Sequence, residues 1–140
     1  MEIKVKKLDL NAKIPTKARI SDSGWDLYSL KEMTLSPMQT VVVPTGIAFS
    51  IPKKHEIQVR PRSGVSTKTS LRVILGTVDQ EYRGEVGIMV QNTSDVTVNI
   101  PEHFKLAQAV LTPLPESTMI EVNDLDDTSR GSNGFGSSGV

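Results

Sequence analysis

Hydrophobic residues recur at every second position through most of the chain. In IKVKK, Ile3 and Val5 alternate with lysines, and in GIAFSIP, Ile47, Phe49 and Ile51 share one face. HEIQVR repeats the pattern with Ile57 and Val59, GEVGIMVQN with Val86, Ile88 and Val90, and VTVNI with Val96, Val98 and Ile100. A period of two marks half-buried strands. Turn formers separate the runs: Ser36-Pro37, Pro44-Thr45-Gly46, Pro52, Pro61, Asn92 to Asp95 and Pro101. Many short strands with frequent turns predict an all-β barrel or sandwich. The eight prolines stand mostly at run boundaries, where no ladder hydrogen bond is lost. SGVSTKTSLRVI breaks the pattern, with Val65 and Leu71 at mixed spacing, and one short helix is expected there. Beyond about Asn123 the alternation stops, and NDLDDTSRGSNGFGSSGV reads as a tail.

A chain of 140 residues is expected to form one domain. At this size folding buries roughly 70% of the unfolded surface, enough for a core without cross-links. There is no cysteine, which excludes disulfides and thiolate metal sites and fits a reducing compartment. The start, MEIKVKKLDL, carries Glu2, Lys4, Lys6, Lys7 and Asp9 and lacks the apolar centre of a signal peptide. No stretch is long and apolar enough to cross a bilayer. A cytoplasmic protein without a membrane partner is expected. Lys plus Arg and Asp plus Glu number 16 each. That balance argues against a general nucleic-acid binder, whose affinity rests on phosphate neutralisation. Small charged ligands remain open, because a few focused cations suffice for them.

Four stretches are candidates for chemistry. In LGTVDQEYRGEVGIMV, two strand-like runs flank a turn from Asp79 to Gly84, read as a hairpin. Asp79 directly follows the apolar Val78, where the scaffold is still rigid, and Tyr82 puts a large ring on the turn. The hairpin is either a solvated tip or a mouth whose free backbone groups read the edge of a planar base. In VRPRSGV, Arg60 and Arg62 flank a proline before Ser63-Gly64. A helix beginning after Ser63 would aim free N–H groups at the point that Arg62 faces, favouring phosphate; the alternative is an ordinary serine N-cap with solvated arginines. Lys68-Thr69 does not end a P-loop, because Thr67 stands where glycine is needed. In SDSGWDLYS, Asp26 between Trp25 and Leu27 is either a carboxylate at a pocket edge or part of a turn and short strand.

The fourth stretch is the glycine- and serine-rich tail. It is either a linker or a lid: Arg130 to clamp phosphate oxygens bidentately, Phe135 to cover a flat base, and glycines to curl backbone N–H groups around anionic oxygens. Asp124, Asp126 and Asp127 lack the EF-hand spacing and read as a solvated acidic loop. His55 and His103 have no neighbouring ligand partner and are expected at the surface.

Taken in order, these stretches closely resemble the five motifs of the homotrimeric dUTPase family. They are SGWDLYS (Ser23 to Ser29), PRSGVS (Pro61 to Ser66), GTVDQEYRGEV (Gly76 to Val86), LAQ (Leu106 to Gln108) and RGSNGFGSSG (Arg130 to Gly139). The resemblance covers nearly the whole chain. It implies an all-β, jelly-roll-like dUTPase barrel with one short helix, trimeric. A barrel domain over residues 1–123 carries a flexible arm over 124–140 that closes a site built by other subunits. The implied reaction turns dUTP and water into dUMP and pyrophosphate with Mg²⁺, keeping uracil out of DNA and supplying dUMP for dTMP synthesis. Asp79 is the implied general base for a water attacking the α-phosphorus, and it also holds the sugar 3′-hydroxyl. The backbone from Gly76 through Val78 towards Tyr82 would read uracil, and Tyr82 would pack on the deoxyribose and exclude a 2′-hydroxyl. Arg62, Ser63, Gly64 and Gln108 would contact the phosphates. Asp26 would hold the magnesium through water. Arg130 would bind the γ-phosphate, Phe135 would cover the uracil, and Gly136, Ser137 and Ser138 would add phosphate contacts.

The fourth motif departs from the family's pattern. His103, Phe104 and Lys105 stand where Gly-Asp-Arg is usual, so the tight glycine turn is expected to be lost. Gln108 is then the one residue of that motif carried over, and Phe104 is expected to pack in the core. Trp25 replaces a residue that is commonly tyrosine, a change of packing and not of chemistry. The nearest rival is dCTP deaminase, of related fold. The Asp-x-x-Tyr-Arg-Gly pattern and the tail's arginine and phenylalanine count against it. The sequence also leaves open a regulatory protein partner.

Overall fold

The structure is a computed structural model describing residues 1–139; Val140, the end of the expected arm, lies outside the described residues. Eleven strands and one helix are formed, in the order β1 (Lys4–Lys7), β2 (Trp25–Tyr28), β3 (Met33–Leu35), β4 (Thr40–Pro44), β5 (Ile47–Ser50), β6 (His55–Pro61), α1 (Ser63–Lys68), β7 (Leu71–Val73), β8 (Gly76–Val78), β9 (Gly87–Asn92), β10 (Val98–Ile100) and β11 (Lys105–Pro113). All ladders are antiparallel. They make two small pairs, β1-β5 and β10-β3, and two larger sheets, β2-β11-β6-β8 and β4-β9-β7.

The alternating residues point where the period of two requires. Ile57 and Val59 of β6, Ile88 and Val90 of β9, and Ile47 and Phe49 of β5 join one core with Leu27, Leu35, Val43, Val86, Ile100 and Leu106. Each such side chain contributes about 1.5–3 kcal/mol by leaving water. Phe104 packs against this core, as expected. The run VTVNI is shorter than its alternation suggested: β10 starts at Val98, and Val96 is exposed. The reason lies in Asn92, which is fully buried and ties down the preceding loop, its Nδ2 donating to the Val96 carbonyl at 2.8 Å and its Oδ1 accepting from the Ser94 N–H at 3.0 Å.

Three expectations are corrected by the fold. The segment from Gly76 to Asn92 is not a hairpin, because β8 pairs with β6 while β9 lies between β4 and β7. Its turn crosses from one sheet to the other. The cause is capture of its far limb by the Thr45–Ile47 turn, where Val86 N–H donates to the Ile47 carbonyl at 2.9 Å. Second, α1 begins at Ser63 with Arg62 at the N-cap and no side-chain cap, so Ser63 is not the capping residue. Third, the tight turn before β11 survives without glycine. His103 adopts φ +54°, and the strain is held by four bonds: its N–H to Ser29 O at 3.0 Å, its Nε2 with Asn11 O at 2.7 Å, and the buried Ser29 hydroxyl bridging Pro101 O and Phe104 N–H at 2.7 and 3.0 Å.

Candidate functional site

The first group of motif residues gathers on the outward face of the four-stranded sheet. Leu27 of β2 is buried, so Asp26 before it turns to the opposite face. Register places Asp26 opposite Gln108 and Gln108 opposite Arg60, one row across three strands. The Asp26 carboxylate is only 15% exposed and meets Arg62 Nε at 2.9 Å and Lys105 Nζ at 3.8 Å. Arg62 also donates to the Lys105 carbonyl at 3.1 Å, and Gln108 Nε2 donates to the Pro61 carbonyl at 2.9 Å. Gly24 is demanded by this row, because a Cβ there would run into the Gln108 side chain.

Two cations, Arg62 and Lys105, thus meet one carboxylate, while the Arg60 guanidinium along the sheet donates to Gln58 Oε1 at 2.9 and 2.6 Å. The excess positive charge suits an anion. With only six residues, α1 adds little dipole, so the arginine and lysine carry the charge. In front of Gly64 the space is open, with nothing within 4 Å of a Cβ built there. Lys105 was not singled out as a site residue in the sequence; its place before the Ala-Gln of the fourth motif was the only signal. Among the described residues no three acidic or histidine side chains cluster. Asp26 alone, a hard oxygen donor, still fits Mg²⁺, which is commonly held by one or two carboxylates together with a ligand's phosphates. His55 and His103 each meet a backbone carbonyl, of Lys53 and Asn11.

The second group sits on the turn after β8. Tyr82 N–H donates to the Asp79 carbonyl at 3.0 Å, closing a four-residue turn. Arg83 Nη1 caps it by donating to the carbonyls of Gln80 and Tyr82 at 2.8 and 3.1 Å. Asp79 is exposed, and none of the ion pairs among the described residues includes it. The Tyr82 ring folds back over Gly84, where a Cβ would collide with it, and its hydroxyl donates to the Glu85 carbonyl at 2.9 Å.

The two groups are far apart within one chain. Val78 pairs with Ile57, so Asp79 comes level with Glu56. Asp26 is level with Arg60, four positions further along and three strands across. At about 3.3 Å per residue and 4.8 Å per strand, the separation is roughly 20 Å. The third group, on the tail, is separate again. Every residue from Pro113 to Gly139 is exposed, Phe135 completely. Local turns shape this segment: Arg130 Nε donates to Asn133 O at 2.9 Å, Ser137 N–H donates to Gly134 O at 2.9 Å, and Gly131 and Gly136 take φ of +57° and +77°. Across the sheet from Asp26, a largely apolar cavity of about 640 Å³ opens between Ile3, Val5, Trp25, Phe49, Ile57 and Leu111. Trp25 faces this cavity, with Lys17 Nζ 5.1 Å from its ring centre.

The chain matches the family model described as dUTPase over residues 10–139. It is 40% identical to the deoxyuridine 5′-triphosphate nucleotidohydrolase of Alkaliphilus metalliredigens over 140 residues, 99% of this chain and 97% of the relative. Against the enzyme of the same name from Clostridium novyi it is 42% identical, with both chains wholly covered. Among solved structures it is similar to the Staphylococcus bacteriophage 80alpha dUTPase with dUpNHpp, at a TM-score of 0.94, 29% identity and 99% coverage of each chain. A dUTPase from phage phi11 of S. aureus, solved to detail the coordination of a structural Mg(II) ion, superposes with a TM-score of 0.84 at 29% identity, over 89% of this chain and 98% of the other. With a jelly-roll-like all-β fold, ordered motifs on its sheet faces and relatives matched end to end, this chain belongs to the dUTPase family.

Proposed function

We propose that this protein hydrolyses dUTP to dUMP and pyrophosphate in sites shared between the subunits of a homotrimer. The observation that carries the reading is the roughly 20 Å between Asp79 and the Asp26–Arg62 corner. A general base works within hydrogen-bond reach of its water, and an arginine clamp within reach of its phosphate oxygens. Two groups so far apart serve one phosphate chain only if different copies supply them. The exposed arm fits the same scheme, since all of its described residues, 124–139, are exposed.

In the assembled site, the backbone from Gly76 through Val78 reads uracil, and Tyr82 lies against the deoxyribose. Cytosine offers a donor where uracil offers an acceptor, so the wrong base leaves buried groups unpaired. Asp79 takes the proton of a water whose oxygen bonds to the α-phosphorus as the bond to the bridging oxygen breaks. Such a base is worth about 10²–10⁴-fold. Arg62, Ser63, Gly64 and Gln108, with the neighbouring Lys105, bind the departing phosphates. Asp26 would hold Mg²⁺ through water, and the ion would neutralise charge on the triphosphate. The barrel over residues 1–123 is the fixed part. The arm over 124–140 brings Arg130 to the γ-phosphate, Phe135 over the base, and Gly136, Ser137 and Ser138 to phosphate oxygens, excluding bulk water.

Pyrophosphate release measured with dUTP, dCTP, dTTP and UTP tests the reading. Turnover of dUTP alone is expected. Equal turnover of dTTP or UTP, or ammonia released from dCTP, would overturn it.

A further inference from the structure

Glu85 has no role in the scheme above, yet it bonds both to the ring proposed to face the sugar and to the turn between β4 and β5. Its Oε2 accepts the Gly46 N–H at 2.9 Å, and its carbonyl accepts the Tyr82 hydroxyl at 2.9 Å. Gly46 is closely packed. It holds φ +71°, and a Cβ there would press on Leu30 Cδ1 at 2.8 Å and Ala12 Cβ at 2.9 Å. Its carbonyl is also taken, by Leu8 N–H at 2.7 Å. The next residue, Val86, is buried and bonded on both sides, its N–H to Ile47 O at 2.9 Å and its carbonyl to the buried Thr45 hydroxyl at 2.5 Å. The peptide whose carbonyl receives Tyr82 is therefore tied to the β4–β5 turn at two points, by its own Val86 N–H on Ile47 O and by the Glu85 carboxylate on Gly46 N–H.

We infer that Glu85 is a positioning residue that fixes the Tyr82 ring, and that it sets the preference for deoxyribose over ribose. The inference rests on the proposed contact of Tyr82 with the sugar. The ring is 48% exposed, and its hydroxyl has Glu85 O as its one bonded partner among the described residues. Steric exclusion of a 2′-hydroxyl needs a wall that does not yield, and a shift of about 1 Å in a positioned group alters rates by up to about 10²-fold. A carboxylate is a stronger acceptor for a backbone N–H than a neutral group, which accounts for a glutamate at an otherwise exposed position.

The test measures kcat/KM for dUTP and for UTP, together with thermal melting. Glu85→Ala is expected to lower the dUTP-to-UTP ratio about tenfold, mainly by raising turnover of UTP relative to dUTP. Glu85→Gln, which keeps an oxygen acceptor of the same reach, restores most of the ratio. Tyr82→Phe removes the same bond without touching Gly46 and produces a similar loss, and the double variant Tyr82→Phe/Glu85→Ala loses no more than Tyr82→Phe. A wild-type ratio in folded Glu85→Ala, or in Tyr82→Phe should Glu85→Ala not fold, would overturn the inference. Tyr82→Ala separates the two levels. If it collapses the ratio while Glu85→Ala leaves it intact, only the role of Glu85 fails; if Tyr82→Ala leaves the ratio intact, the sugar contact itself fails.

Discussion

A site divided between chains can be reassembled from two inactive proteins. Asp79→Asn should collapse turnover while nucleotide binding largely survives, because amide nitrogen and oxygen cannot take the water's proton. Arg62→Ala removes a proposed phosphate ligand, while Lys105 keeps a cation beside Asp26. Each parent is expected at or below about 1% of wild-type activity, from the 10²–10⁴-fold worth of a general base and comparable losses of charge stabilisation. Coexpressed in equal amounts, the two chains assort at random. In half of the sites the turn after β8 comes from an Arg62→Ala chain and so carries an intact Asp79. In half of those the facing corner comes from an Asp79→Asn chain and carries an intact Arg62. Roughly one quarter of wild-type activity should return if, as proposed, the two residues act from different subunits of a closed ring. If both residues served a site from the same chain, no site in any mixture would be whole. The assay is steady-state pyrophosphate release, with native mass spectrometry to count mixed trimers of about 46 kDa, three times 15.3 kDa. Mixed trimers with only parental activity would refute the 20 Å argument.

Truncation before Arg130 should leave the melting temperature nearly unchanged but cut kcat/KM by about 10²-fold or more, because the arm buries nothing in its own chain; unchanged kinetics would return the arm to the status of a linker. Asn92→Ala should cost roughly 3 kcal/mol or more in urea unfolding, because it strips partners from the carbonyls of Leu35, Ser36 and Val96 and from the Ser70 and Ser94 side chains. A loss under about 0.5 kcal/mol would mean that water replaces those bonds. Met38→Gly should add about 1 kcal/mol of stability, since Met38 is exposed and holds φ +61°; a destabilised variant would show that its side chain packs in the assembly.

Period-two alternation made the strands legible because it reports which way a side chain faces. Ile57, Val59, Ile88 and Val90 entered the core for that reason. It does not report which strand lies alongside. The partners of β8 and β9 depend on Glu85 and Val86 meeting a turn some 40 positions earlier in the chain, a contact that no local pattern encodes. The glycine rule failed at His103 for a related reason. Left-handed backbone costs about 1–2 kcal/mol, and the buried Ser29 and the carbonyl of Asn11 supply bonds that offset it. In the site, residue type and spacing singled out Asp26, Arg62, Asp79 and Tyr82, because carboxylates, arginines and rings at strand ends are costly to place without a use, whereas Gln108 came only from the resemblance to the family's fourth motif. Their division into separate clusters was not legible, since it depends on register. Lys105, noted only as a departure from the fourth motif, and Glu85 were not singled out as site residues because a charged residue beside a turn looks like any solvated surface.

Trp25 is the sole indole of the chain, and it faces the apolar cavity while its neighbour Asp26 faces the cation cluster. One strand thus carries an optical reporter on its back and a charged corner on its front. Ultraviolet emission from this protein follows events in that cavity directly. A nucleotide bound at the proposed Asp26 corner would reach the fluorophore through the peptide shared by the two residues, so a small spectral change on titration would be the signature of a stiff strand.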